Sequence, residues 1–142
     1  MATPIQVVFD CADPSALAPF WAAALGYIEQ PPPDGFDSWE DWARETGIPE
    51  ENWNDAGAVV DPDGVGPRIY FQRVPEGKVL KNRVHLDVNV GKGLEGDERR
   101  AKVEQEAKRL EGLDASTFRR FDERGEFWIV MQDPEGNEFC LQ

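Results

Sequence analysis

The sequence predicts an α+β fold assembled from two tandem βαβββ modules, and three observations carry that expectation. First, the apolar periodicities run strand, helix, strand, strand, strand, and after a linker the same order returns. Second, the turn Asp61-Pro62-Asp63-Gly64 recurs as Asp133-Pro134-Glu135-Gly136, each ahead of its half's last strand. Third, the chain has 142 residues, 40% of them apolar and 11% aromatic, which suffices for a packed core. A chain of that length buries about two-thirds of the surface its unfolded form exposes. The modules are read as residues 1–75 and 82–142, together one domain, with an aromatic-rich insert at 31–55.

The first module opens on Ile5 to Cys11, a β-branched and aromatic run that reads as a strand. It stops at Ala12-Asp13-Pro14, where Asp13 can cap a helix and Pro14 suits the first turn. Leu17, Phe20, Trp21, Ala24 and Leu25 then recur at helical spacing, and Gly26 ends the helix. Tyr27 to Gln30 reads as a short strand, halted by Pro31-Pro32-Pro33. In the insert, Asp37-Ser38-Trp39-Glu40-Asp41-Trp42 reads as a capped short helix that stops near Thr46-Gly47, and Glu50 to Asp55 reads as a polar loop with one aromatic. Three of the five tryptophans, Trp39, Trp42 and Trp53, fall in this stretch. A solvated linker would carry fewer large rings, so the insert is expected to pack over something, either as cover for a sheet edge or as a lid. Ala56 to Val60 and Arg68 to Val74 complete the module as strands.

Arg83 to Val90 reads as the clearest strand in the chain. Gly91-Lys92-Gly93 breaks it, and a charged helix follows with Val103, Ala107 and Leu110 on its apolar face. Strands near Ser116–Asp122, Glu126–Gln132 and Asn137–Gln142 close the second module.

Composition excludes several classes of function. Fifteen Lys and Arg against 28 Asp and Glu leave a net charge of −13, which argues against a nucleic-acid backbone or an anionic membrane as partner. No apolar run approaches the ~18 residues of a membrane span, and the opening residues have no signal-peptide pattern. Cys11 and Cys140 are too few for a disulfide framework, so reduced thiols and a cytoplasmic location are expected.

Strand alternation sorts candidate chemistry onto particular faces. Val84, Leu86, Val88 and Val90 should cover a helix, which groups His85, Asp87 and Asn89 opposite. The first strand sets Val7, Phe9 and Cys11 against Gln6, Val8 and Asp10. Arg68, Tyr70 and Gln72 share one face of their strand, and Glu138, Cys140 and Gln142 share one face of the last. His, Gln, Tyr, Asn and Cys suit a concave pocket with a few directed polar groups better than a solvated surface.

Three segments carry a resemblance to a known family: Val8-Phe9-Asp10-Cys11-Ala12-Asp13-Pro14 leading to Phe20-Trp21 and Leu25-Gly26; Asn82-Arg83-Val84-His85-Leu86-Asp87-Val88; and Gln132-Asp133-Pro134-Glu135-Gly136-Asn137-Glu138-Phe139-Cys140. In their order and spacing the chain resembles the vicinal oxygen chelate superfamily, in its glyoxalase-like group related to bleomycin-resistance proteins and extradiol dioxygenases. The resemblance implies a cup-shaped mixed sheet with the helices on its outer face, and a homodimer as the assembly. It also implies a divalent metal (zinc, manganese, iron or nickel) acting as a Lewis acid in catalytic members. Carried over, the metal slots fall on Gln6 and His85 in the first strands. In the last strands they fall on Tyr70, with Gln72 nearby, and on Cys140, with Glu138 two residues earlier. Both usual glutamate positions therefore depart from the family pattern.

Two functions stay open at this point. One is a lyase, isomerase or oxygenase acting on a small molecule, with His85 as base or ligand and Cys140 as ligand or nucleophile. The metal candidates are then His85, Gln6, Cys140 and Glu138, or the chemistry is metal-free. The other is a non-catalytic protein that binds or sequesters a small molecule, a drug or metabolite. Gln6, Tyr70, Gln72, Asp87, Glu138, Trp39, Trp42 and Trp53 are the candidate ligand contacts in either case, and a fold kept for dimerisation alone is the third possibility.

Overall fold

A computed structural model describes residues 1–142. The chain is α+β and forms two compact units, Met1–Gly77 and Lys78–Gln142. Each holds one four-stranded mixed sheet.

In the first unit the strands are β1 (Val7–Cys11), β2 (Ile28–Glu29), β3 (Ala56–Val60) and β4 (Ile69–Arg73), ordered β1-β4-β3-β2. β1 runs parallel to β4, and the other pairs are antiparallel. Helix α1 (Pro14–Leu25) starts as the sequence suggests: the Asp13 side chain accepts from the Ala16 amide, and Pro14 sits in the first turn. Its apolar stripe packs on the sheet because Leu17, Phe20, Trp21 and Ala24 all face inward and are buried. The Phe9 ring lies 5.0 Å from Trp21 and 5.6 Å from Phe71, so the alternate residues of β1 and β4 close the core under the helix. The insert folds as α2 (Trp39–Glu45), capped by Ser38 Oγ accepting from the Asp41 amide, followed by a single 3₁₀ turn at Glu50–Asn52.

In the second unit β5 (Asp87–Val88), β6 (Ser116–Glu123), β7 (Glu126–Gln132) and β8 (Glu138–Leu141) are ordered β5-β8-β7-β6, with α3 (Gly96–Glu111) between β5 and β6. β5 is parallel to β8, and β8, β7 and β6 are antiparallel in turn. The two sheets thus repeat one topology, in which each first strand pairs in parallel with its last. Val103, Ala107 and Leu110 of α3 are buried, as are Ile129, Met131, Phe139 and Leu141.

The repeated DPxG turns have the same physical origin. In the first, Asp61 accepts from the amides of Asp63, Val65 and Gly66; in the second, Asp133 accepts from those of Glu135 and Asn137. Gly64 and Gly136 sit at φ 68° and 85°, a conformation that a residue without Cβ reaches at no steric cost.

One expected element is corrected. The alternation at Arg83–Val90 predicts the chain's best strand, but only Asp87–Val88 is strand. Val84 is 82% exposed, and of the four expected core valines and leucines only Val88 is buried. Alternation reports which way side chains would point in a strand, and says nothing about a partner to pair with. β8 pairs with Asp87 and Val88 through Cys140 and Leu141. At its other end the Glu138 carboxylate accepts from the Asn82 amide, which holds residue 82 by a side chain and not by a ladder.

Candidate functional site

Within the first unit a cavity of about 700 Å3 opens between the insert, the start of α1 and the strands β3 and β4. Trp39, Trp42 and Trp53 all line it, with Ile48, Ala18 and Tyr70 among their neighbours. The size suits one drug- or metabolite-sized molecule.

Local bonds hold the indoles in place. Trp39 Nε1 donates to the Gln30 carbonyl at 2.7 Å, and Trp53 Nε1 donates to the Ile48 carbonyl at 3.0 Å. With their N–H groups satisfied by backbone, these rings have π-faces and edges left to offer a ligand. Trp39 and Trp42, three residues apart on α2, meet edge-to-face at 5.4 Å and 85°. The Arg44 guanidinium covers Trp53 at 5.1 Å from the ring centre. Next to Trp53 in the lining, Asn54 is fixed twice: its Oδ1 accepts from the Ser15 amide and its Nδ2 donates to Asp13 Oδ1, at 2.9 and 2.8 Å. The Asn54 bond, more than any other contact, holds the Asp13 carboxyl below the ordinary aspartate range.

Arg68 precedes β4 and lies on the same face as Tyr70, also lining the cavity. Its Nε donates to Gln30 Oε1 at 2.7 Å and its Nη1 to Gln6 Oε1 at 2.8 Å, while its plane lies 5.2 Å from the centre of the Tyr70 ring. Gln6 and Gln72 themselves are not part of the lining.

In the second unit the structure brings His85, Asp87 and Cys140 together, with one donor atom of each within 4.8 Å of the others. His85 Nε2 lies 3.2 Å from Asp87 Oδ1, and both side chains are substantially exposed. Cys140 is buried, at 7% exposure. Burial first, then the charge of Asp87 and the thiol's hydrogen bond to it, push the Cys140 pKa up to about 11. At neutral pH it is therefore a thiol, which disfavours a nucleophilic role. Glu138 stands apart from this cluster. Burial by itself would raise its carboxyl, but the Asn82 amide, its own amide and Lys78 outweigh that and hold it below the usual glutamate range.

The metal implied by the resemblance is tested by these contacts. In the first unit the relevant positions, Gln6 and Tyr70, are both covered by the Arg68 guanidinium, so they do not fit a cation. The imidazole, carboxylate and thiol of the second unit are a mixed N, O, S set, of the kind that suits zinc better than a hard ion such as manganese. Its thiol would first have to lose a proton held well above neutrality.

Periodicity finds Tyr70 and Arg68 together on a face, but nothing in the sequence marks Arg68, Asn54 or Ile48 as cavity residues. Ile48 and Asn54 lie near Trp53 in the chain, whereas Arg68 joins the tryptophans in the lining only through tertiary packing.

Residues 6–142 match the family described as the glyoxalase-like domain. No curated protein matches the chain. Among solved structures, a glyoxalase/bleomycin resistance/dioxygenase family enzyme from Burkholderia phytofirmans PsJN is similar at 14% identity and TM-score 0.61, over 96% of this chain and 94% of that one. A possible glyoxalase from Bacillus cereus is similar at 14% identity and TM-score 0.60, over 100% and 99%. A mutant of the fosfomycin resistance protein FosX from Listeria monocytogenes, solved with Mn(II) and 1S,2S-dihydroxypropylphosphonic acid, is similar at 12% identity and TM-score 0.63, over 100% and 90%. At these identities the likeness is one of fold.

Proposed function

Because the chain belongs to the glyoxalase-like domain family, we propose that it is a small-molecule-binding member that holds a flat, largely apolar ligand in the tryptophan-lined cavity of its first unit. The observation that carries this reading is the set of three indoles lining one cavity, with two N–H groups satisfied by backbone and apolar ring surface left over. Binding without turnover accounts for the two departures from the family pattern, the phenol of Tyr70 under a guanidinium and the protonated thiol at Cys140.

The probe is N-phenyl-1-naphthylamine, a neutral flat fluorophore whose emission rises in apolar surroundings. Saturable one-to-one enhancement is expected, with energy transfer from tryptophan, and Trp42→Ala weakens it about tenfold through loss of ring contact. Enhancement that never saturates, or that is equal in Trp42→Ala, refutes the reading.

A second reading places catalysis in the second unit, and the His85–Asp87 pair favours it. The carboxylate orients the imidazole through Nε2 and leaves Nδ1 to meet a substrate proton. Its discriminating variant is His85→Ala, which on this reading abolishes turnover while leaving the fluorophore bound. A homodimer is proposed on the family resemblance, and light scattering at micromolar concentration tests it.

A further inference from the structure

The cavity lining holds one cation, and its bonding state is informative. Arg68 forms none of the chain's ion pairs, in a protein with 28 acidic residues. It is half-buried, and its two hydrogen bonds go to neutral amide oxygens, Gln30 Oε1 and Gln6 Oε1. A guanidinium carries five N–H donors in a planar fork. Nε and one Nη1 hydrogen are used, which leaves both Nη2 hydrogens and the second on Nη1. The unbonded Nη2 amino group, with the spare Nη1 hydrogen, is the part of the fork left to take a carboxylate. The Tyr70 face and the two amides hold the plane still, so little side-chain freedom is left to lose on binding.

The carboxylates around the cavity do not occupy this role. Asp55 accepts from Asn52 Nδ2 at 2.8 Å and lies 3.8 Å from Arg73. Glu29 and Glu40 are exposed, where water and salt screen them. Glu29, Glu40 and Asp55 all line the cavity but are exposed, whereas Arg68 is the one charged lining residue that is half-buried.

We propose that the ligand is an aromatic carboxylate, its ring among Trp39, Trp42 and Trp53 and its carboxylate on the unbonded donors of Arg68. The inference rests on the cavity reading above and sharpens its ligand class. It runs against the protein's net charge of −13, which by long-range steering alone would favour a cation. Contact geometry decides here because a partly desolvated fork at hydrogen-bonding distance outweighs a screened surface field.

Three probes of one ring system test it by titration calorimetry in 150 mM salt: 2-naphthoate, its neutral isostere 2-naphthamide, and the cationic 2-naphthylmethylammonium. The wild-type protein is expected to bind naphthoate roughly tenfold to a hundredfold more tightly than naphthamide, as charge-assisted bonds warrant. Arg68→Gln brings the two within about twofold by weakening naphthoate alone, and unchanged naphthamide affinity shows that the cavity is intact. Arg68→Lys, a charge without the fork, gives an intermediate preference. Equal affinity for naphthoate and naphthamide, tighter binding of the ammonium, or an undiminished preference in Arg68→Gln overturns the inference and leaves the cavity reading standing. Binding of none of the three overturns both.

Discussion

Asp13 joins the start of α1 to the cavity wall, so removing its carboxylate tests two levels of structure at once. Its Oδ1 accepts from the Ala16 amide at 3.3 Å, from Ser15 Oγ at 2.8 Å and from Asn54 Nδ2 at 2.8 Å. Asp13→Ala removes the helix cap with the Ser15 Oγ bond beside it, together worth about 1 kcal/mol, and one side-chain bond to Asn54, worth about 0.5 kcal/mol at this exposed position. Together these predict a loss of about 1.5 kcal/mol and a melting temperature lower by roughly 3–6 °C for a chain of this length. Asn54 would keep its bond from the Ser15 amide but lose its second anchor, so fluorophore binding should weaken by about twofold to threefold. The assay is thermal melting followed by near-ultraviolet circular dichroism, which reports mainly the first unit because four of the five tryptophans lie there. Asp13→Asn keeps a capping oxygen and should lose less than half as much. The carboxyl's pKa is lowered in the folded state, so its contribution is present above the ordinary value of 3.8 and fades as pH falls through the folded value. The gap between wild type and Asp13→Ala should therefore be full at pH 7 and narrower at pH 3. A melting shift below 1 °C, or an Asp13→Ala effect unchanged in an Asn54→Ala background, would refute the link between cap and wall.

Other expectations follow from the same contacts. Stability as a whole should fall as pH drops below about 4.5, because Asp61, Glu104 and Glu138 are also lowered in the folded state: Asp61 chiefly by the Gly66 amide, Glu104 by Arg120, and Glu138 by the Asn82 amide and Lys78 against the opposing effect of burial. A urea midpoint flat from pH 7 to pH 3 would contradict this. Both thiols, at 3% and 7% exposure, should react with 5,5′-dithiobis(2-nitrobenzoate) at pH 7 only on unfolding; a native-state titre of one that is lost in Cys140→Ser would show that Cys140 is more open and more acidic than its surroundings dictate. Equimolar protein should leave the electron paramagnetic resonance signal of 100 µM Mn(II) unchanged, since Arg68 covers Gln6 and Tyr70; a quenched signal would show a hard-cation site that this donor set does not predict. Leu17→Ala, at a fully buried position of α1, should cost about 2–5 kcal/mol, read from the first unit's denaturant midpoint.

The elements most legible in the sequence are those whose signals are local. The Asp13-Pro14 start and Gly26 end of α1, the Ser38 cap of α2, the Ala56–Val60 and Glu126–Gln132 strands and the two DPxG turns each depend on residues within a few positions of one another. Arg83–Val90 misled for the complementary reason: its alternation is local and complete, whereas strand formation needs a partner, and β8 supplies one only at Asp87 and Val88. At the candidate site, composition pointed to Trp39, Trp42 and Trp53, and the aligned motifs pointed to His85 and Cys140.

By itself the sequence determined the repeated βαβββ order, the apolar faces of α1 and α3, and the grouping of Arg68 with Tyr70, because periodicity and capping act through the bonds of neighbouring residues. Tertiary structure alone decided what those groups do. Pairing between distant segments set Arg68 against Gln6 and Gln30, and joined Asn54 to Asp13. The same packing buried Cys140 beside Asp87 until its thiol holds its proton at neutral pH. Burial and charge proximity are properties of position in space, and residues sixty apart in the chain acquire them only when the sheet closes.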